Sequence, residues 1–155
     1  WGAVKAGLRD SGRDISELQI GLIFHTAVNS DPDAARLMAK AIAAGYYEYS
    51  KFLFDLPGLA WRGDDPHVLR EIVYPDFLHH QDMVFAGTQV DFLEDRAAEA
   101  FALFGDWAAI ANQLKATLAA SEIPAQWVLT HPVLPLGSTV DFMRDAAREL
   151  IPIFA

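Results

Sequence analysis

Apolar and polar positions alternate most sharply over Leu18–Val28, LQIGLIFHTAV, and this alternation predicts a β-strand. Leu18, Ile20, Leu22, Phe24, Thr26 and Val28 fall on one face, and Gln19, Gly21, Ile23, His25 and Ala27 on the other. The first set suits packing under helices. The second, small and mixed-polar, suits a strand face that lines a barrel interior or a site. Burial of both faces favours a parallel sheet over an antiparallel one with a solvated side.

Helical spacing governs most of the rest. Val4, Gly7 and Leu8 predict the tail of a helix over residues 1–11, ended by Gly12 as its left-handed residue, with a turn at Asp14 or Ser16. Asn29–Asp33 carries a capping residue and Pro32 in the first turn, opening a helix from about Asp33 to Phe54. Its predicted row is Leu37, Ala41, Gly45, Tyr49 and Leu53, with Met38 and Ile42 beside it. Ala41 and Gly45 leave a shallow groove for a close neighbour. The aromatic cluster Tyr46, Tyr47, Tyr49, Phe52 and Phe54 reads as packing.

From Asp55 to about Asp95 the pattern weakens into loops at Pro57-Gly58 and Arg62–Pro66. Short helical pieces are expected around His67–Tyr74 and Pro75–Ala86, with a break at Gly87. An insertion of this kind in an α/β unit serves as a lid over a site or as a subunit contact. Asp91–Leu103 is expected to be helical. Phe101–Leu118 then reads as a short apolar run, a turn at Gly105, an N-cap at Asp106 and a helix burying Ile110, Ala111, Leu114 and Leu118. Gln126–Thr130 predicts a second strand, with His131–Gly137 as its outgoing loop. Ser138 caps a last helix whose buried stripe is Val140, Met143, Ala147, Leu150 and Ile151, stopped by Pro152.

Helix feeding strand is the rhythm of α/β proteins, and 155 residues suffice for one domain spanning 1–155. A chain that is 52% hydrophobic with 10 Phe, 4 Trp and 4 Tyr is not a disordered one. The formal net charge of −9 argues against nucleic acid and anionic membranes as partners, because both select a basic surface. No cysteine is present, so disulfides, thiolate nucleophiles and cysteine-based metal sites are excluded, and the cytoplasm is the expected location. No apolar run approaches the roughly 18–20 residues of a membrane-spanning helix. The chain opens at Trp1 in what looks like the tail of a helix, and is expected to be a piece of a longer protein or a processed form.

Chemistry is expected at the carboxyl ends of parallel strands. His25 lies toward that end of the first strand, and His131 directly follows the second. Either suits a general acid or a hydrogen-bond donor to substrate, or a plain strand-end histidine bonded to a carbonyl. His79-His80-Gln81-Asp82 resembles a metal cluster only in composition. Adjacent helical residues diverge by about 100°, no histidine at i+3 or i+4 supports either one and no carboxylate pair stands beside them, so no metal site is assigned. His67 and the acidic pairs Asp64-Asp65 and Glu94-Asp95 read as solvated. No dinucleotide, Walker or nucleophile-elbow motif occurs.

The string GLRDSGRDISELQIGLIFHTAVNSDPDAARLMAKAIAAGYY resembles the C-terminal part of luciferase-like monooxygenases, the flavin- or F420-dependent oxidoreductases. There a helix ends in a GRD element and a barrel strand follows, then an acidic turn and a DP-x-AAR helix. ALFGDWAAIANQL and the closing IPAQWVLTHPVLP…VDFMRDAARELIPIF are similar to that family's last segments. Trp107, where a proline is usual, and SEIP, where a glycine turn is usual, depart from the pattern. The resemblance implies a partial TIM (β/α)8 barrel, the last two β/α units plus a helical insertion at 55–95 near the barrel mouth. It implies FMN or coenzyme F420 as cofactor and a small organic substrate. His25 and His131 would face the ring or substrate, and Trp61, Tyr74 and His79 would line the substrate pocket. The cofactor-binding residues would lie in earlier strands without counterpart here. A second expectation, from another class, is a non-catalytic interaction module that pairs with a second copy through 55–95. A barrel cut in this way leaves sheet edges and an apolar face uncovered, so the isolated chain is expected to be marginally stable or to associate.

Overall fold

The computed structural model describes residues 1–57, 59–133 and 139–154. Helix α1 (Gly2–Ser11) ends at Gly12 with φ 67°, the left-handed geometry its sequence predicts. Asp14 and Glu17 close a reciprocal capping box over a short 3-10 turn. Strand β1 (Gly21–Val28) starts later than the alternation suggests. Leu18 and Ile20 are held instead by the Gln126 side chain, which accepts from the Ile20 N–H at 2.8 Å and donates to the Leu18 carbonyl at 3.3 Å.

Helix α2 (Pro32–Tyr49) begins on an Asp31 cap and stops at Ser50, short of the expected Phe54; a 3-10 turn over Lys51–Phe54 tucks Phe54 into the core. The single stripe expected of α2 is also an understatement. Met38 to Gly45 are buried without interruption, because the sheet covers one side of the helix and the 66–101 segment the other. Tyr49, expected in the stripe, is mostly exposed. The groove at Gly45 is real: Leu78 fills it, leaving no room for a Cβ.

The insertion folds as α3 (Pro66–Leu69), an irregular stretch through 70–82, and α4 (Met83–Thr88). Gly87 lies inside α4, not at a break, since Leu37 of α2 packs directly on its backbone. Val73, Phe77, Val90 and Leu93 are fully or nearly fully buried against α2, so this stretch forms much of the protein's own core. Helix α5 (Asp95–Phe101) is shorter than the predicted 91–103 helix, and Ala102–Gly105 form strand β2, where no strand was expected. Four residues are too few for periodicity to separate strand from helix; pairing with β1 decides it. Gly105, with φ 124°, makes the turn into α6 (Trp107–Ala120), capped by Asp106 through Ala109 N at 2.8 Å. Ile110, Ala111 and Leu114 are buried as the spacing required.

Strand β3 (Trp127–Pro132) includes His131, which therefore lies within the strand and not after it. Helix α7 (Thr139–Glu149) buries Phe142, with Leu150 buried just beyond its end, whereas Val140, Met143, Ala147 and Ile151 of the expected stripe are exposed. The buried face turns toward α6, and the opposite side is exposed. Pro152 does not end α7; it sits in the first turn of α8 (Ile151–Phe154), where its missing N–H has no role. The Ser138 cap and the 134–137 part of the loop lie outside the described residues.

The described strands form a three-stranded parallel sheet in the order β2-β1-β3, one strand more than expected. Ala27, Ala102 and Phe104 join the core around α2, while Phe24, Val28 and Leu103 join α6 and Leu150 in a second core on the other face. Helices thus cover both faces, and the chain reverses its winding direction at β1. Sequential barrel strands would be neighbours with all helices on one face; the described residues form an open α/β sheet, and no closed barrel is seen. The edge of β2 is closed by Gln113, whose side chain donates to the Phe104 carbonyl at 2.7 Å and accepts from its N–H at 3.1 Å. No described helix is long and apolar enough to cross a membrane.

Candidate functional site

Parallel pairing sets His25 of β1 directly opposite His131 of β3. Their rings meet edge to face with centroids 5.0 Å apart. Because β1 and β3 feed helices on opposite faces, the crevice between their carboxyl ends is the switch point where open α/β sheets place their ligands. The 74–83 segment crosses that crevice. Together they enclose an open cavity of about 810 Å³ lined by His25, His131, Tyr74, His79, His80, Gln81 and Asp82 on its polar side. Leu78, Met83 and Val133 supply apolar wall, and among the described residues no Lys or Arg lines it.

Four of the five histidines thus reach one cavity. His25 is half-buried, and its Nε2 is 2.8 Å from the Tyr46 hydroxyl of α2, while its Nδ1 is buried without a partner among the described residues. Burial, and secondarily the neighbouring His131, hold the His25 imidazole below its ordinary pKa, so it is a neutral group at neutral pH. The strand face carrying His25 is therefore covered by α2 and is not a barrel interior. Its first half stays open, with Ile23 exposed.

His79 and His80 sit on a turn, not the expected helix, and each finds a local partner. His80 Nδ1 lies 2.8 Å from the Asp82 carbonyl. His79 Nδ1 lies 2.8 and 2.9 Å from the two oxygens of Asp76, a carboxylate that is only 6% exposed. Oδ1 of Asp76 also accepts from the backbone N–H of Leu78 and His79, and Oδ2 accepts from the Tyr49 hydroxyl at 3.0 Å. Burial alone would raise the Asp76 pKa, but the bonds from His79 and Tyr49 outweigh it and hold the carboxyl below its ordinary value. Sequence reasoning passed over Asp76. Its signal was the Asp at i−3 from a histidine, a spacing that closes an Asx-type turn.

Of the five sequence candidates, His25, His131, Tyr74 and His79 meet at the cavity and Trp61 does not. Trp61 stacks flat on Tyr47 at 4.3 Å and donates from Nε1 to the Asp64 carbonyl, lining a surface cleft with Lys51 and Phe54. His67 is exposed beside the Asp65 cap of α3. Among the described residues no three His, Asp or Glu side chains form a group that could hold a metal.

No protein-family model matches the sequence, and no curated protein matches it. Among solved structures, the fold is similar to the coenzyme F420-dependent tetrahydromethanopterin reductase of Methanopyrus kandleri, with a TM-score of 0.52 and 21% identity. The likeness covers 96% of this chain and 39% of that one, so the chain spans well under half of the enzyme it is similar to. At this identity the likeness concerns the fold: a mixed α/β arrangement with a parallel sheet.

Proposed function

We propose that the chain is part of a luciferase-like oxidoreductase that works with coenzyme F420 on a small organic substrate, with the histidine cavity as the substrate end of its site. The observation that carries this reading is the meeting of His25, His131, Tyr74 and His79 at the strand ends of a fold similar to that of an F420-dependent reductase. The cofactor supplies hydride chemistry when bound; the protein's part is to seat the substrate, shield it and place donors against it. A cavity of about 810 Å³ with apolar walls and imidazole and phenol edges suits a planar ring or an uncharged substrate. It offers no cation to a phosphate, so the phosphate-bearing part of such a cofactor belongs to residues outside this cavity. FMN has no comparable support. In a longer protein the 55–95 segment would sit near the mouth of a barrel, and a sequential barrel would require β3 on the β2 edge that Gln113 now occupies.

The test is a spectral titration of the purified chain with F420 and, separately, with FMN. Saturable perturbation by F420, weakened at least about tenfold in His131→Ala, is the expected result. Indifference to F420 both of the chain alone and of the chain supplied with an N-terminal part overturns the proposal.

A second reading, an interaction module, is favoured by one feature. Met143, Ala147 and Ile151 of the C-terminal helices and Val128 of β3 line an apolar groove of about 840 Å³ beside the open β3 edge. A stable, colourless oligomer indifferent to cofactor is its expected behaviour.

A further inference from the structure

We propose that His79, oriented by the buried Asp76, is the proton-transferring group of the cavity, acting on a hydroxyl or carbonyl of an otherwise apolar small molecule. The inference rests on the proposed use of this cavity as a substrate site, and not on which cofactor serves it.

Geometry separates the two nitrogens of the ring. Nδ1 faces both Asp76 oxygens, at 2.8 and 2.9 Å, which fixes a proton on that nitrogen. Nε2 lies on the opposite edge of a side chain that is 68% exposed and lines the cavity. In its neutral form the ring then presents a lone pair to whatever enters. When Nε2 accepts a proton from a bound hydroxyl, the ring becomes an imidazolium whose charge Asp76 offsets. The reverse transfer returns the proton to the alkoxide oxygen and restores the neutral ring.

A carboxylate that merely closed the turn would need only its bonds to Leu78 N and His79 N, both made by Oδ1. Asp76 has a further donor in Tyr49, reaching across from α2, and this bond anchors the pair to the most buried helix of the protein. The orienter is thereby held rigidly while the imidazole stays accessible, the division of labour that a positioned acid–base pair requires. His25 is poorly suited to the same task, since its Nε2 is engaged by Tyr46. The lining explains the substrate class: imidazole, phenol and amide edges recognise oxygen functions, Leu78, Met83 and Val133 take apolar bulk, and the Asp82 carboxylate, with no Lys or Arg among the described lining residues, disfavours a strongly anionic ligand.

The intact 155-residue chain serves for the test, with two readouts. The ¹⁵N spectrum of the His79 ring reports the tautomer, and diethyl pyrocarbonate with peptide mapping reports how readily Nε2 acts as a base. The expected result is an Nδ1–H tautomer, with His79 modified faster than His25, and a several-fold loss of His79 reactivity with mixing of tautomers in Asp76→Asn. That variant keeps an Oδ1 acceptor for the turn. Tyr49→Phe should change His79 reactivity without changing the tautomer. An Nε2–H tautomer in the parent chain, or Asp76→Asn reactivity equal to the parent, overturns the proposal. A chain that stays F420-indifferent even with an N-terminal part supplied, but whose His79 still responds to Asp76→Asn, overturns the oxidoreductase reading alone.

Discussion

His25 and His131 are register partners on neighbouring parallel strands, their rings 5.0 Å apart and nearly perpendicular. Residues separated by more than a hundred positions become one structural unit through a backbone ladder. The unit has a consequence for acid stability.

Burial, then His131, depresses the His25 pKa from the ordinary 6.5. An unfolded chain binds the proton first as pH falls, so the contribution is complete above about pH 6.5 and is lost as pH falls through the folded value. Urea unfolding midpoints should therefore drop between pH 7.5 and 5, and His25→Gln should flatten that part of the curve. The carboxylates Asp76 and Asp91, whose pKa values are also lowered, respond only below their ordinary 3.8 and leave this window free.

Lys40, only 3% exposed in the middle of α2, is bonded to Asp91 at 2.8 Å and paired with Asp95 at 3.2 Å. The pair is asymmetric, because both aspartates are more than half exposed while the lysine is not. Lys40→Met, which leaves two solvated carboxylates, should be close to neutral. Asp91→Ala with Asp95→Ala strands a buried ammonium and should cost about 3–5 kcal/mol. Denaturant unfolding of the two variants checks the order; equal losses would contradict the asymmetry.

Gly45 and Leu78 occupy the same space, one as a missing side chain and the other as its occupant. Gly45→Ala should destabilise by about 1–3 kcal/mol through overpacking. The double variant Gly45→Ala with Leu78→Ala should be less destabilised than the sum of the two, a sign of direct contact. Additive losses in thermal unfolding would place Leu78 elsewhere.

Asp106 caps α6 through Ala109 N, immediately after a glycine at φ 124°. Asp106→Ala should cost about 1 kcal/mol, read as a lower denaturant midpoint with unchanged slope. Gly105→Ala should cost more, since it imposes a Cβ on a left-handed backbone and presses on Ala109.

Sequence alone determined what local interactions decide: the Gly12 helix end, a helix start with a capping residue and Pro32 within Asn29–Asp33, the Asp106 cap, the buried face of α6, and a parallel-type strand over most of Leu18–Val28. Each depends on residues within one or two turns, whose energies the neighbouring sequence already contains. Tertiary structure decided the rest. Ala102–Gly105 become a strand because β1 offers them a ladder, and α2 is buried all round because two layers close on it. The exposed side of α7 carries Val140 and Met143, apolar side chains that no described element covers. The cavity is of the same kind. His25, His131 and the Asp76–His79 pair come from three separate segments, and only the placement of β3 against β1, with the 74–83 turn across their ends, brings them together. Such pairings depend on closing long loops, and no short window of sequence carries that information.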